Sequence, residues 1–96
     1  MTNVFIDRDN GILQAMGHAN YAPLRQDVVC AAVSALTQLA ALQAEKRGGM
    51  AMHGNGVIHA ECDDTEYKII LDAVADMVAE MEKQYPNHVH LVLEEE

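Results

Sequence analysis

The chain has 96 residues and a formal net charge of −9; half of its residues are hydrophobic, but only 4% are aromatic and none is tryptophan. This length predicts one domain, residues 1–96, with a small core of aliphatic side chains and methionine. The acidic excess argues against a nucleic-acid partner, which would need clustered Lys and Arg, and favours a basic polypeptide. A small core with surplus apolar residues also indicates a homodimer.

The sequence indicates a cytoplasmic setting without a membrane partner. The N-terminus has no apolar stretch behind a basic start, and the longest apolar run, residues 28–33, is too short to cross a bilayer. Cys30 and Cys62 are far apart in the sequence, and we expect both to be reduced thiols rather than a structural disulfide.

The first half of the chain predicts two strands and a helix. Residues 3–8 form a strand that returns over residues 12–17 through a two-residue turn at Asn10-Gly11, where both positions tolerate a positive φ. After a loop, a helix begins at Asp27 and ends near Arg47, before two glycines.

The second half predicts another hairpin, a helix and a last strand. Residues 50–53 and 57–62 pair around a Gly-Asn-Gly turn, and Asp63 and Glu66 have the spacing of a capping box for the second helix. That helix ends at Tyr85 before Pro86, and residues 88–93 alternate as a strand. The predicted fold is α/β (α+β type), ββαββαβ, with a five-stranded mainly antiparallel sheet and two amphipathic helices.

The first helix contains the candidate nucleophile. Its apolar arc includes Val29, Val33 and Leu39, whereas Cys30 falls on the opposite stripe with Ser34, Thr37 and Gln38. With Asp27 as N-cap, Cys30 lies in the first turn, where unsatisfied amides and the helix dipole favour a thiolate. A helix cysteine can also be packing material, and Ser34 can be a neutral surface residue.

His18 is the predicted general base. It ends the second strand, and the loop that follows leads into the cysteine helix, so a contact with Cys30 across twelve residues is sterically allowed. A histidine at a strand end can equally be a surface residue. Asp27 has a second possible role in orienting this histidine.

We predict neither a metal nor a cofactor. The seven His and Cys side chains match no CxxC or HExxH spacing, although His88 and His90 share a strand face. His53 and His59 are interpreted as solvated strand residues, and Cys62 as a core thiol. The glycine pairs lack the Lys and Ser/Thr of a phosphate loop.

Two segments resemble the ribosomal-processing cysteine protease Prp family. They are Gly17-His18-Ala19 and Asp27-Val28-Val29-Cys30-Ala31, followed by Ser34, and the similarity extends along nearly the whole chain. The resemblance implies a Cys30/His18 dyad supported by Gly17, Asp27 and Ser34, and a mobile, substrate-admitting loop over residues 19–26.

The resemblance also implies a dimer that removes a short N-terminal extension from a large-subunit ribosomal protein, cutting after a pair of Phe residues. Some family members process phage structural proteins instead. The segment Pro23-Leu24-Arg25-Gln26-Asp27 departs from the flexible Gly-x-Asp of many members, so it indicates a stiffer loop or a different substrate. The alternative hypothesis is a non-catalytic binding module for a basic ribosomal or phage protein on the same scaffold.

Overall fold

The computed structural model describes residues 1–17 and 28–94. Within these residues the element order is ββαββαβ, as predicted. The elements are β1 (Thr2–Asp7), β2 (Ile12–Met16), α1 (Val28–Lys46), β3 (Met50–Gly54), β4 (Val57–Glu61), α2 (Thr65–Gln84) and β5 (Val89–Glu94).

The strands form a five-stranded sheet in the order β3-β4-β2-β1-β5. The β1–β2, β2–β4 and β3–β4 pairs are antiparallel, whereas β5 lies parallel to β1. The prediction of a mainly antiparallel sheet is therefore confirmed. Helix α1 packs on β2, β3 and β4, and α2 packs on β5 and β1, so the helices cover one face.

The first hairpin differs from the predicted two-residue turn. Asp7 pairs with Ile12, so four residues connect the strands, and of these only Gly11 has a positive φ, +66°. The Asp7 carboxylate accepts hydrogen bonds from the Asn10 backbone N–H (3.2 Å) and side-chain amide (2.7 Å), which stabilises the wider loop. The two-residue turn occurs instead at Asn55-Gly56, where φ is 51° and 77°.

Helix α1 ends at the predicted glycines. Gly48 has a φ of +84°, and the Gly49 N–H donates to the Ala44 carbonyl oxygen at 2.8 Å. The Gly48 N–H donates to the Glu45 carbonyl oxygen at 3.3 Å, which completes a Schellman motif.

The capping box predicted for α2 is wrong. The N-cap is Asp64, not Asp63, and its side chain makes no cap hydrogen bond. The Asp64 and Glu66 carboxylates instead accept hydrogen bonds from the Arg47 guanidinium, at 2.8 Å and 3.3 Å. The hydrogen bond to Asp64 has the largest effect on the pKa of Arg47 and raises it. Burial lowers this pKa, and the hydrogen bond to Glu66 raises it further, so the pKa lies above its usual value.

The face of α1 that is buried also differs from the predicted arc. Thr37 is 1% exposed, whereas Leu39 is 47% exposed. The buried face instead includes the small side chains of Ala40 and Ala44, and Leu39 lies outside it. The stripe that contains Cys30, Ser34 and Thr37 therefore adjoins the core instead of opposing it.

The second helix buries Tyr67, Leu71, Val74 and Val78, whereas Met77 is 46% exposed. By length and composition α1 would also suit a membrane span, a test that helices of globular cores pass too.

The core is a single cluster built from both helices and the inner sheet face. Its members are Val4, Ile6, Leu13, Ala15, Val29, Val33, Ala40, Ala41, Ala44, Ala60, Cys62, Tyr67, Leu71, Val74, Ala75, Val78, Met81 and Val89.

Candidate active site

Cys30 lies in the first turn of α1, as the third residue of the helix that begins at Val28. It is partly exposed and packs against the core cluster. Because backbone amides in the first turn of a helix have no intrahelical acceptor, they are directed toward groups at this end. The position therefore combines accessibility with proximity to the amide groups of a helix start.

The Cys30 side chain lines a cleft of about 260 Å³ between α1 and one end of the sheet. Along α1 the wall of the cleft continues through Ser34 and Gln38, each one helical turn from the last. The opposite wall comprises the end of β2 and the β3–β4 hairpin. The residues that line the cleft are Thr2, Ala15, Met16, Gly17, Cys30, Val33, Ser34, Thr37, Gln38, His53, Gly54, Asn55, Gly56, Val57 and Ile58.

Gly17 forms the corner where β2 ends beside the cleft. Its φ is +93°, and its N–H donates to the Gly56 carbonyl oxygen at 3.3 Å. A Cβ at this position would lie 2.4 Å from the Met1 carbonyl oxygen, so only glycine fits here without a shift of the backbone. The chain therefore leaves β2 at a defined point of the cleft, directly before His18.

The structure brings together three of the five site residues expected from sequence, namely Gly17, Cys30 and Ser34. His18 and Asp27 lie outside the described residues, as does the loop of residues 19–26. The pairing of Cys30 with His18 therefore stays a prediction.

Sequence reasoning did not place His53 in this cleft. It is exposed on β3 and lines the cleft with Cys30, because the two-residue turn at Asn55-Gly56 folds the hairpin back beside α1. The alternation of β3, with Ala51 and His53 on one face, was an available signal that His53 faces the helix layer.

The other histidines and Cys62 occupy different surroundings. His59 Nε2 lies 2.8 Å from Glu61 and its Nδ1 lies 3.3 Å from Gln14, while His90 Nδ1 lies 2.9 Å from Glu82. Cys62 is 4% exposed, as predicted for a core thiol, and its Sγ lies 3.8 Å from the Arg47 carbonyl oxygen. Within residues 1–17 and 28–94, no three His, Cys, Asp or Glu side chains are grouped so that they could hold a metal ion.

A mixed sheet covered by two helices, with a partly exposed cysteine at a cleft, defines a small α+β protein with an accessible thiol. The sequence model of the cysteine protease Prp family matches residues 1–90. The chain belongs to this family and is a cysteine protease.

Solved structures share the fold across almost the entire chain. The ribosomal processing protease Prp from S. aureus, with a covalently linked product peptide, is 19% identical with a TM-score of 0.81, and the match covers 98% of this chain and 100% of that one. The same S. aureus protease with a substrate peptide is 20% identical, with a TM-score of 0.79 and the same coverage.

A more distant match is SMU.848 from Streptococcus mutans, at 16% identity and a TM-score of 0.69, covering 96% of this chain and 90% of that one. No curated protein matches the chain in sequence. At these identities the solved structures support the fold, and family membership rests on the match over residues 1–90.

Proposed function

We propose that this chain is an endopeptidase in which Cys30 is the nucleophile and His18 the general base, and that it removes an N-terminal extension from a ribosomal protein. The observation that carries the proposal is the location of Cys30 in the first turn of α1, partly exposed at the cleft that Gly17 also lines. Gly17 directly precedes His18 in the chain.

The chemistry follows from these roles. His18 takes the thiol proton, and the Cys30 thiolate attacks the scissile carbonyl carbon to give a tetrahedral oxyanion. Collapse of this intermediate breaks the C–N bond, His18 protonates the departing amine, and a thioester remains on Cys30. Water, activated by His18, then hydrolyses the thioester. Amides at the start of α1 are suitable donors to the oxyanion.

Gly17, Asp27 and Ser34 are assigned supporting roles. Gly17 sets the direction in which the chain leaves β2, and Ser34 lines the cleft one turn from the thiol. Asp27 is the proposed N-cap of α1 and a candidate partner for the His18 ring.

The alternative, a binding module without catalysis, would be favoured by a Cys30 sealed in the core, because only the enzyme needs an accessible thiol. Cys30 instead lines a cleft, while Cys62 is the thiol that is 4% exposed. The ribosomal substrate is supported by the family and by the S. aureus protease of similar fold, whose structures hold product and substrate peptides. The net charge of −9 suits a basic substrate.

The test is digestion of a ribosomal protein that carries its natural N-terminal extension, read by mass spectrometry. We expect wild type to shorten the substrate and both Cys30→Ala and His18→Ala to leave it whole. Cys62→Ala is the matched control, because it removes the other thiol and should retain activity. If His18→Ala cleaves as fast as wild type, the proposed base is wrong, and His53, which lines the same cleft, becomes the next candidate.

We further propose that residues 1–96 act as one protease domain, as a homodimer in the cytoplasm, where ribosomal proteins are made. Exposed large apolar side chains outside α1 support the dimer, among them Met52 (62%), Met77 (46%) and Val92 (41%). Light scattering should give twice the chain mass, and a monomer mass at all micromolar concentrations would contradict the dimer.

A further inference from the structure

The cleft that contains Cys30 continues into a second groove along α1. This groove has a volume of about 330 Å³ and is lined by Gln38, Leu39, Leu42, Glu45 and His53. Gln38 and His53 also line the cleft, so the two cavities meet at this pair of side chains. We name this second cavity the α1 groove.

The α1 groove offers apolar contacts followed by a negative charge. Leu39 and Leu42 are 47% and 50% exposed, although core packing would favour their burial. Gln38, Leu42 and Glu45 are spaced i, i+4, i+7, so they follow one stripe of the helix away from the thiol.

Glu45 is an acidic residue to which no described residue supplies an opposite charge in an ion pair. Within the part of the chain that the structure describes, its carboxylate makes no ion pair, whereas Asp64, Glu66 and Asp72 each pair with an arginine. Glu45 is exposed at the end of the groove farther from Cys30. Such a carboxylate is available to a Lys or Arg of a bound chain.

We propose that the α1 groove binds the segment of the substrate polypeptide that flanks the scissile bond, with Leu39 and Leu42 contacting an apolar side chain and Glu45 selecting a Lys or Arg. This inference rests on the proposed function, because it assumes that the scissile bond lies at Cys30. The two lining residues that the groove shares with the cleft, Gln38 and His53, and the charge of Glu45 support substrate as the occupant.

The length of α1 predicts where the two substrate residues lie. Helical rise places Leu39, Leu42 and Glu45 about 14, 18 and 22 Å from Cys30 along the axis. An extended chain advances about 3.3 Å per residue, so the apolar contact corresponds to about the fourth or fifth residue from the scissile bond and the basic contact to about the seventh.

The experiment uses twenty-residue peptides with a central aromatic pair, a neutral background and one lysine moved along either side of the pair. For wild type, we expect KM to be roughly two- to fivefold lower when the lysine is about seven residues from the cut on one side, with kcat unchanged. The preference should weaken as salt is raised.

The decisive variant is Glu45→Lys, with Asp76→Lys as its matched control. Asp76 is exposed on α2, outside both cavities, so this control makes the same change in net charge. Glu45→Lys should abolish the lysine preference and create one for glutamate at the same position, while Asp76→Lys keeps the wild-type preference. Leu42→Ala should raise KM for peptides with an apolar fourth or fifth residue, and Ile69→Ala, 68% exposed elsewhere on α2, should not.

Two results distinguish a failure of the α1 groove proposal from a failure of the protease proposal. If wild type cleaves the peptides and lysine position has no effect, or if Asp76→Lys behaves like Glu45→Lys, the α1 groove is refuted and the protease proposal stands. If wild type cleaves none of these peptides and the folded Cys30→Ala variant binds none of them by fluorescence anisotropy, both proposals are overturned.

Discussion

Tyr67 provides a sharp test of how the two helices are held together. Its side chain is fully buried, and its hydroxyl donates a 2.8 Å hydrogen bond to the Ala40 carbonyl oxygen, which joins α2 to α1. Burial, with a smaller contribution from Cys62, raises the pKa of Tyr67 from 10.0 to about 12. Tyr67→Phe keeps the ring and removes both the hydrogen bond and the titration.

At alkaline pH the hydrogen bond of Tyr67 stabilises wild type, whereas the raised pKa of Tyr67 destabilises it. Below pH 10 the hydrogen bond should make wild type about 1 kcal/mol more stable than Tyr67→Phe. Because the unfolded chain loses its phenol proton first, wild type alone loses stability as the pH rises from 10 toward 12. The loss is about 1.4 kcal/mol at pH 11, the midpoint of the shift, and about 2.7 kcal/mol above pH 12.

Wild type should therefore have the higher free energy of unfolding near neutral pH, and Tyr67→Phe the higher one at strongly alkaline pH. Urea unfolding followed by circular dichroism under reducing conditions should show wild type more stable at about pH 8 and Tyr67→Phe the more stable by about 0.4 kcal/mol at about pH 11. Tyr85→Phe, at a partly exposed tyrosine, is the matched control and should not change order with wild type. A constant difference between wild type and Tyr67→Phe from pH 8 to 11 would refute the reasoning.

Three further predictions concern the cleft and its surroundings. Iodoacetamide should modify Cys30 about a hundredfold faster than Cys62, which is 4% exposed and needs local opening, and equal rates by mass spectrometry would contradict this. Gly17→Ala should lower the free energy of unfolding by about 2 kcal/mol and reduce cleavage, because Gly17 has a φ of +93° and lies close to Met1. Gly54→Ala is the control, because a Cβ at Gly54 meets nothing within 4 Å. It should change the free energy of unfolding by under about 0.5 kcal/mol in the same urea assay. Thr2→Val should leave stability unchanged or raise it by about 1 kcal/mol, since the buried Thr2 hydroxyl has no hydrogen-bond partner among residues 1–17 and 28–94. A loss above about 1 kcal/mol would reveal a partner for this hydroxyl.

Local patterns in the sequence determined most of the fold. The ββαββαβ order follows from alternation in the strands and from helical periodicity, both of which depend on neighbours a few residues away. Gly48 and Gly49 end α1 as predicted, because the left-handed conformation after a helix selects glycine locally. The placement of Cys30 in a first turn is likewise a local property.

The tertiary structure decided what depends on distant partners. Arg47 bonds to Asp64 and Glu66, which are 17 and 19 residues away in the chain, and the capping box predicted for Asp63 and Glu66 does not form. The packing of α1 against the sheet and α2 determines that Thr37, Ala40 and Ala44 are buried and that Leu39 is exposed.

The same distinction holds for the site. A first-turn thiol at Cys30 and a glycine before His18 were predictable from the sequence, since helix starts and strand ends are encoded by adjacent residues. That β2, α1 and the β3–β4 hairpin enclose one cleft, and that His53 joins it to the groove leading to Glu45, was decided only by strand order and helix packing. Contacts between residues far apart in the chain form only when burial of the shared core selects one arrangement of the elements.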